Sequence, residues 1–215
     1  AGAIVGGLYA FGKSPNEILD FFKSVYFFNW KHFTLSKPGF INSDIFRLYL
    51  KPIIGEIKIK DLKKELIINA TDLIQGETFV FSGDDYLLDA IIASCSVPGL
   101  ASPFKKDELL LSDGGILNNF PTNLIKEKCD KIIGIYVCPL QDVKKNQLNS
   151  IKSVATRAYE LLSHSVENYK FRDCDWLISP KELSNYGMFE SKKTRMDELF
   201  QLGFSEAEKT FPKDF

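Results

Sequence analysis

The sequence predicts an α/β fold of three layers, α/β/α, with a mostly parallel central sheet covered by helices on both faces. Three observations carry that expectation. Helix-like stretches alternate with short, continuously apolar runs, the pattern of an α/β chain. Two of those runs, residues 65–71 and 131–137, hold β-branched residues without the apolar-polar alternation of a half-exposed strand, so both faces should be buried. The chain of 215 residues is long enough for a sizeable core, and no linker interrupts it, so residues 1–215 read as a single domain.

The elements follow in order. Residues 1–10, Ala-Gly-Ala-Ile-Val-Gly-Gly-Leu-Tyr-Ala, read as the opening turns of a buried helix, closed by Gly12. A helix this apolar has to be packed on several sides. Ser14, Pro15 and Glu17 make a capping box with proline at the first helical position. The helix behind them carries Ile18, Leu19, Phe21, Phe22 and Val25, then runs into Tyr26, Phe27, Phe28, Trp30 and Phe33. That cluster suits core packing, and it would also suit contact with an acyl chain. Lys37, Pro38 and Gly39 form a turn, and Asn42, Ser43 and Asp44 cap a helix that should end near Pro52 and Gly55.

A brief helix is expected around Asp61. Residues 65–71 and 78–81 are strands, joined through Gln75, Gly76 and Glu77 as a hairpin. Residues 87–94 form a small apolar helix. Leu109, Leu110 and Leu111 make a strand that runs into Ser112, Asp113, Gly114 and Gly115. Pro121 starts a helix to about Lys128, and residues 131–137 are the clearest buried strand. A long amphipathic helix is expected over residues 151–171, a last strand over 175–178, and a final helix capped by Thr194.

Composition excludes several functions. Lys and Arg number 27 against 28 Asp and Glu, so no electrostatic case exists for a nucleic-acid partner. The four cysteines, Cys95, Cys129, Cys138 and Cys174, form no Cys-x-x-Cys pair, and His32 and His164 are the only histidines, which argues against a metal site. Reduced thiols in a cytoplasmic protein are the plain reading. No apolar run reaches the length of a membrane span.

Asp113 sits on an Asp-Gly dipeptide, a common turn. Its place at the end of a buried strand, before two glycines that leave the backbone open, is also where open α/β sheets bind ligands. Ser94 and Ser96 are hydroxyl nucleophiles in principle, but neither lies on a glycine-flanked elbow, and both suit local backbone bonding at a helix end. His164 and His32 lack flanking catalytic loops and read as packed or surface residues.

Three stretches in order resemble the patatin-like phospholipase family. Residues 1–10 look like its nucleophile helix. Asn69, Ala70, Thr71, Asp72 and Leu73, with Gln75, Gly76 and Glu77, are similar to its strand and hairpin. Residues 93–99, Ala-Ser-Cys-Ser-Val-Pro-Gly, resemble its serine-rich segment, and Asp113-Gly114-Gly115 with Asn118, Asn119 and Pro121 looks like its Asp-Gly-Gly/Ala motif. The resemblance covers the chain to about Val137.

The resemblance implies a serine lipid acyl hydrolase with a Ser-Asp dyad, no catalytic histidine and no cofactor. Its substrate would be a phospholipid or another acyl lipid, met in transient contact with a membrane surface. Asp113 would be the general base, the backbone N–H of Ala1 an oxyanion donor, and Gly2, Gly114 and Gly115 motif glycines. In the family pattern the serine, the glycine-rich loop and the first strand lie before Ala1. The expectation is therefore that residues 1–215 alone are inactive and that a longer parent is the enzyme, with one flank of the sheet left uncovered. A non-catalytic lipid-binding or interaction module on the same fold is the alternative. Nucleotide binding fares poorly, because Gly2, Gly6 and Gly7 do not match Gly-x-Gly-x-x-Gly and no Gly-Lys-Ser/Thr follows.

Overall fold

A computed structural model describes residues 1–25, 43–98, 100–140, 142–186, 190–213 and 215. The chain divides into two compact units, Ala1–Asn118 and Asn119–Phe215.

The first unit opens with α1 (Gly2–Phe11), ended by Gly12 in a left-handed conformation at φ 110°. Glycine tolerates that conformation without a Cβ clash. α1 buries Ile4, Gly7, Leu8 and Ala10, while Val5 and Tyr9 are exposed. The helix is thus buried along one face rather than on several sides. Gly7 explains how close its packing is: a Cβ there would lie 2.7 Å from the Cδ1 of Ile91 and 3.3 Å from the Cδ1 of Leu87.

α2 (Pro15–Ser24) begins with the capping box expected from its sequence. The Glu17 N–H donates to Ser14 Oγ, and the Ser14 N–H donates to the Glu17 carboxylate at 2.9 Å. Of the aromatic cluster, Phe21 is buried and Phe22 half-buried; Tyr26, Phe27, Phe28, Trp30 and Phe33 lie outside the described residues, as do His32 and the turn at Pro38. α3 (Asp44–Ile54) continues through Pro52 and ends at Gly55. A 3₁₀ turn over Ile59–Asp61 follows.

β1 (Asn69–Asp72) and β2 (Glu77–Val80) form the expected hairpin. α4 (Leu87–Ser94) comes next, then β3 (Phe104–Lys106) and β4 (Leu109–Asp113). The sheet order is β2-β1-β4-β3, and every pair in it is antiparallel. This corrects the expectation of a mostly parallel central sheet. The reason lies in the connections. β3 and β4 are joined by Asp107 and Glu108 alone, with Asp107 at φ 51°, and β1 and β2 by four residues. Links that short close hairpins, whereas a parallel pair needs a crossover of a dozen residues or more. The apolar residues 66–68, expected inside a strand, precede β1.

α4 packs on β1 and β4, and α1 and α3 pack on α4. Leu87, Leu88, Ile91 and Ile92 of α4 are all fully buried together with Leu8, Leu50 and Leu111. Burying one such side chain contributes roughly 1.5–3 kcal/mol, so this helix is the core on which the sheet and the outer helices meet. Arg47 of α3 pairs with Asp89 of α4 at 2.6 Å along its rim.

The second unit holds the parallel pair among the described residues, β5 (Ile133–Ile135) with β6 (Trp176–Ile178). β5 is shorter than the buried strand expected over 131–137, and Ile133, Ile135 and Val137 are exposed while Gly134 is buried. Between them run α5 (Ile151–Glu167) and a 3₁₀ segment over Asn168–Asp173. The helix expected from Pro121 is a 3₁₀ turn over Thr122–Leu124. Phe120, Tyr136 and Phe171 stack together, with ring centroids 4.7–6.0 Å apart. α6 (Lys193–Thr210) starts at Lys192 rather than at a Thr194 cap, and its Thr210 Oγ1 accepts the indole N–H of Trp176 at 3.1 Å.

Candidate active site

The candidate site lies in the first unit, where β4 ends. Leu111 and Ser112 are buried, and Asp113, the last residue of the strand, is half-buried. Behind it the chain tightens into a 3₁₀ turn over Gly114–Ile116. The Asp113 carboxylate accepts the Gly115 N–H at 2.7 Å, an Asx-type bond that fixes the side chain over its own turn.

Neighbouring elements hold the backbone of Asp113 from both sides. Its N–H donates to the Ser96 carbonyl at 3.0 Å, and its carbonyl accepts the Thr71 hydroxyl at 3.0 Å. The Ser112 hydroxyl also donates to the Ser96 carbonyl, at 2.6 Å. Asn69 carries the turn itself: its side-chain amide donates to the Gly114 carbonyl at 3.3 Å and to the Asn118 carbonyl at 3.0 Å. Gly114 leaves no room for a side chain, since a Cβ would come within 2.5 Å of the Asn69 carbonyl oxygen.

The N-terminal end of α1 meets the same place. The Ala1 nitrogen is 4.0 Å from the Cys95 Sγ, and Cys95 ends α4. Burial pushes the Asp113 carboxyl above the ordinary carboxylate range, while the Gly115 N–H bond pulls it partly back. Burial likewise pushes the Cys95 thiol up, so it stays a neutral, packed group. The result is a shielded carboxylate against a helix N-terminus, where developing negative charge is favoured.

The residues singled out in the sequence fare differently. Ala1, Gly2, Asp113, Gly114 and Gly115 all belong to the first unit. Ser96 is fully buried, with its hydroxyl donating to the Ile92 carbonyl at 2.8 Å, so it ends α4 rather than offering a nucleophile. His164, on α5, pairs its Nδ1 with the Tyr136 hydroxyl at 3.1 Å inside the second unit. Two residues of the site escape sequence reasoning. Cys95 reads as an ordinary reduced thiol. Asn69 reads as part of a strand, yet an amide in an otherwise apolar run is the kind of residue that needs buried partners. Among the described residues no cluster of His, Cys, Asp and Glu has the make-up of a metal site, and no helix is long and apolar enough to cross a membrane.

An acid shielded at the end of a central strand and the start of an apolar helix thus meet at the end of α4, in an α/β protein. The chain belongs to the patatin-like phospholipase family, whose model matches residues 1–125. It is similar to an uncharacterized NTE family protein of Mycobacterium tuberculosis, 32% identical over 124 residues, which is 56% of this chain and 34% of that protein. A Mycobacterium bovis NTE family protein matches to the same extent. A second NTE family protein of M. tuberculosis is 33% identical over 84 residues, 39% of this chain and 14% of its own length. The chain therefore spans about a third or less of the curated relatives it matches.

Proposed function

We propose that the parent protein is a lipid acyl hydrolase, in which Asp113 is the general base for a serine that directly precedes Ala1. The observation that supports this most is that the start of α1 and the backbone of Asp113 reach neighbouring residues, Cys95 and Ser96, at the end of α4. A nucleophile bonded to the Ala1 nitrogen would stand at the start of α1, within reach of the carboxylate.

The chemistry follows from that arrangement. The ionised Asp113 takes the serine hydroxyl proton as the oxygen attacks the ester carbonyl. The carbonyl electrons move onto oxygen, and the backbone N–H of Ala1, at the positive end of α1, stabilises that oxyanion. The carbon–oxygen bond to the leaving alcohol then breaks, and Asp113 returns the proton to it. Water, activated by the same carboxylate, releases the acyl group as a fatty acid. A free carboxylate is a poor base for a hydroxyl, and burial moves Asp113 in the useful direction. No histidine is needed.

The family membership supports a phospholipid or another acyl lipid as the substrate class, and we propose that the enzyme meets it at a membrane surface. Fluorophosphonate labelling of the full-length protein tests the reading. Labelling is expected at the serine before Ala1, with turnover lost in Asp113→Asn. Labelling that persists when that serine is replaced by alanine overturns it.

A further inference from the structure

Asn69 ties the first strand of the sheet to the turn that carries the base. Both of its side-chain amide bonds go to carbonyls of that turn, Gly114 at 3.3 Å and Asn118 at 3.0 Å. It is 8% exposed, so neither bond competes with bulk water. Asn118 N–H closes the turn onto the Gly114 carbonyl at 2.9 Å, the same oxygen that Asn69 holds. Gly114 lies so close to Asn69 that a Cβ on it would stand 2.7 Å from the Asn69 Nδ2. One residue on, Gly115 directs its N–H into the Asp113 carboxylate.

We propose that Asn69 is a positioning residue for catalysis: by holding the Gly114 and Asn118 carbonyls it aims the Gly115 N–H at Asp113 and so fixes the rotamer of the base. The proposal rests on the reading of Asp113 as the base. Asn69 touches no reacting atom. It acts through the peptide plane between Gly114 and Gly115, because rotating that plane moves the Gly114 carbonyl and the Gly115 N–H together.

The consequence for proton affinity has a definite sign. The Gly115 N–H favours the ionised carboxylate, so losing its alignment raises the Asp113 pKa further. The groups that face Asp113 from other elements are the Ala1 nitrogen, an uncharged amide in the full-length protein, and the Cys95 thiol at the end of α4. The base works ionised, so the acid limb of the rate profile moves to higher pH.

The test uses the full-length protein and a p-nitrophenyl acyl ester as the probe substrate. Asn69→Leu keeps the branched shape, at a larger volume, and removes both donors. Its kcat is expected to fall about 10- to 100-fold with KM little changed, and its acid limb to rise by about one pH unit. Asn69→Ser keeps one short donor and should fall between the two; it carries the test if the leucine variant fails to fold. A drop in kcat with an unmoved acid limb, in whichever variant folds, overturns the proposal and leaves Asn69 a packing residue. Full activity in Asp113→Asn overturns the underlying reading of the base instead, so the two failures are told apart.

Discussion

Gly114 lies against Asn69 more closely than any side chain permits: a Cβ on Gly114 would stand 2.5 Å from the Asn69 carbonyl oxygen and 2.7 Å from its Nδ2. The carbonyl belongs to β1, where Asn69 pairs with Val80 of β2, and the amide is spent on the turn. Gly114→Ala is therefore expected to destabilise the protein by about 1–3 kcal/mol, the usual cost of overpacking a filled interior. Urea denaturation of the two proteins measures it. An unchanged midpoint would show that the turn yields freely, and the tight seating of the base would then be in doubt.

The thiols should differ sharply in reactivity. Cys95 is buried at the end of α4 and held protonated by its surroundings, whereas Cys129 is exposed. The thiolate is the reactive form, so the native protein should be alkylated by iodoacetamide at Cys129 and spared at Cys95. Peptide mapping before and after denaturation reads this directly. Rapid native modification of Cys95 would mean that the space beside Asp113 is open to solvent.

The start of α2 offers a test far from the site. The Ser14 hydroxyl accepts the Glu17 N–H, and the Glu17 carboxylate, pulled down to about 2 first by the Ser14 N–H and then by Lys13, accepts in return. Ser14→Ala should cost about 0.5–2 kcal/mol of stability at neutral pH. The sign of the pH dependence follows from the depressed carboxyl. Its contribution is present above the ordinary value of 4.5 and fades as the pH falls toward 2. Glu17→Gln removes that charge, so the gap between wild type and Glu17→Gln should narrow in acid, as thermal melts at pH 7 and pH 3 would show. A gap that stays constant would mean that the hydroxyl bond alone carries the cap.

How far the fold could be read from the sequence depends on the range of the interactions involved. The cap at Ser14, the stop at Gly12, the hairpin across Gly76 and the apolar helix α4 are each written in a few neighbouring residues, and all are present. Strand direction is not local. Apolar β-branched runs state that a strand is buried but not which way its neighbour runs, so the antiparallel order β2-β1-β4-β3 was hidden in the short links on either side of it. The same distinction holds at the site. Asp113 and its glycines announce themselves as a motif. Asn69 reaches the turn from 45 and 49 residues away along the chain and Cys95 the helix end from 94, and only folding brings them there.

Asp113 makes the sharpest prediction, because stability and activity should respond in opposite directions to one change. Burial raises its pKa above the ordinary 3.8 despite the Gly115 bond. The folded chain then holds its proton to higher pH than the unfolded chain, which binds fewer protons through that interval. Stability from this group is full below the unfolded value and is lost as the pH climbs through the folded one. At neutral pH the ionised, shielded carboxylate is a burden that the active site carries. Asp113→Asn keeps an oxygen for the Gly115 N–H and removes the charge. It should melt higher than wild type at pH 7, converge with it near pH 3, and lose turnover of an acyl ester by about a hundredfold or more. Paired melting curves and ester assays on the full-length protein decide it. A variant that melts lower at pH 7 would mean that the bonds to the carboxylate outweigh its burial. The carboxylate would then sit in a stabilised well, poorly suited to taking a proton from a hydroxyl.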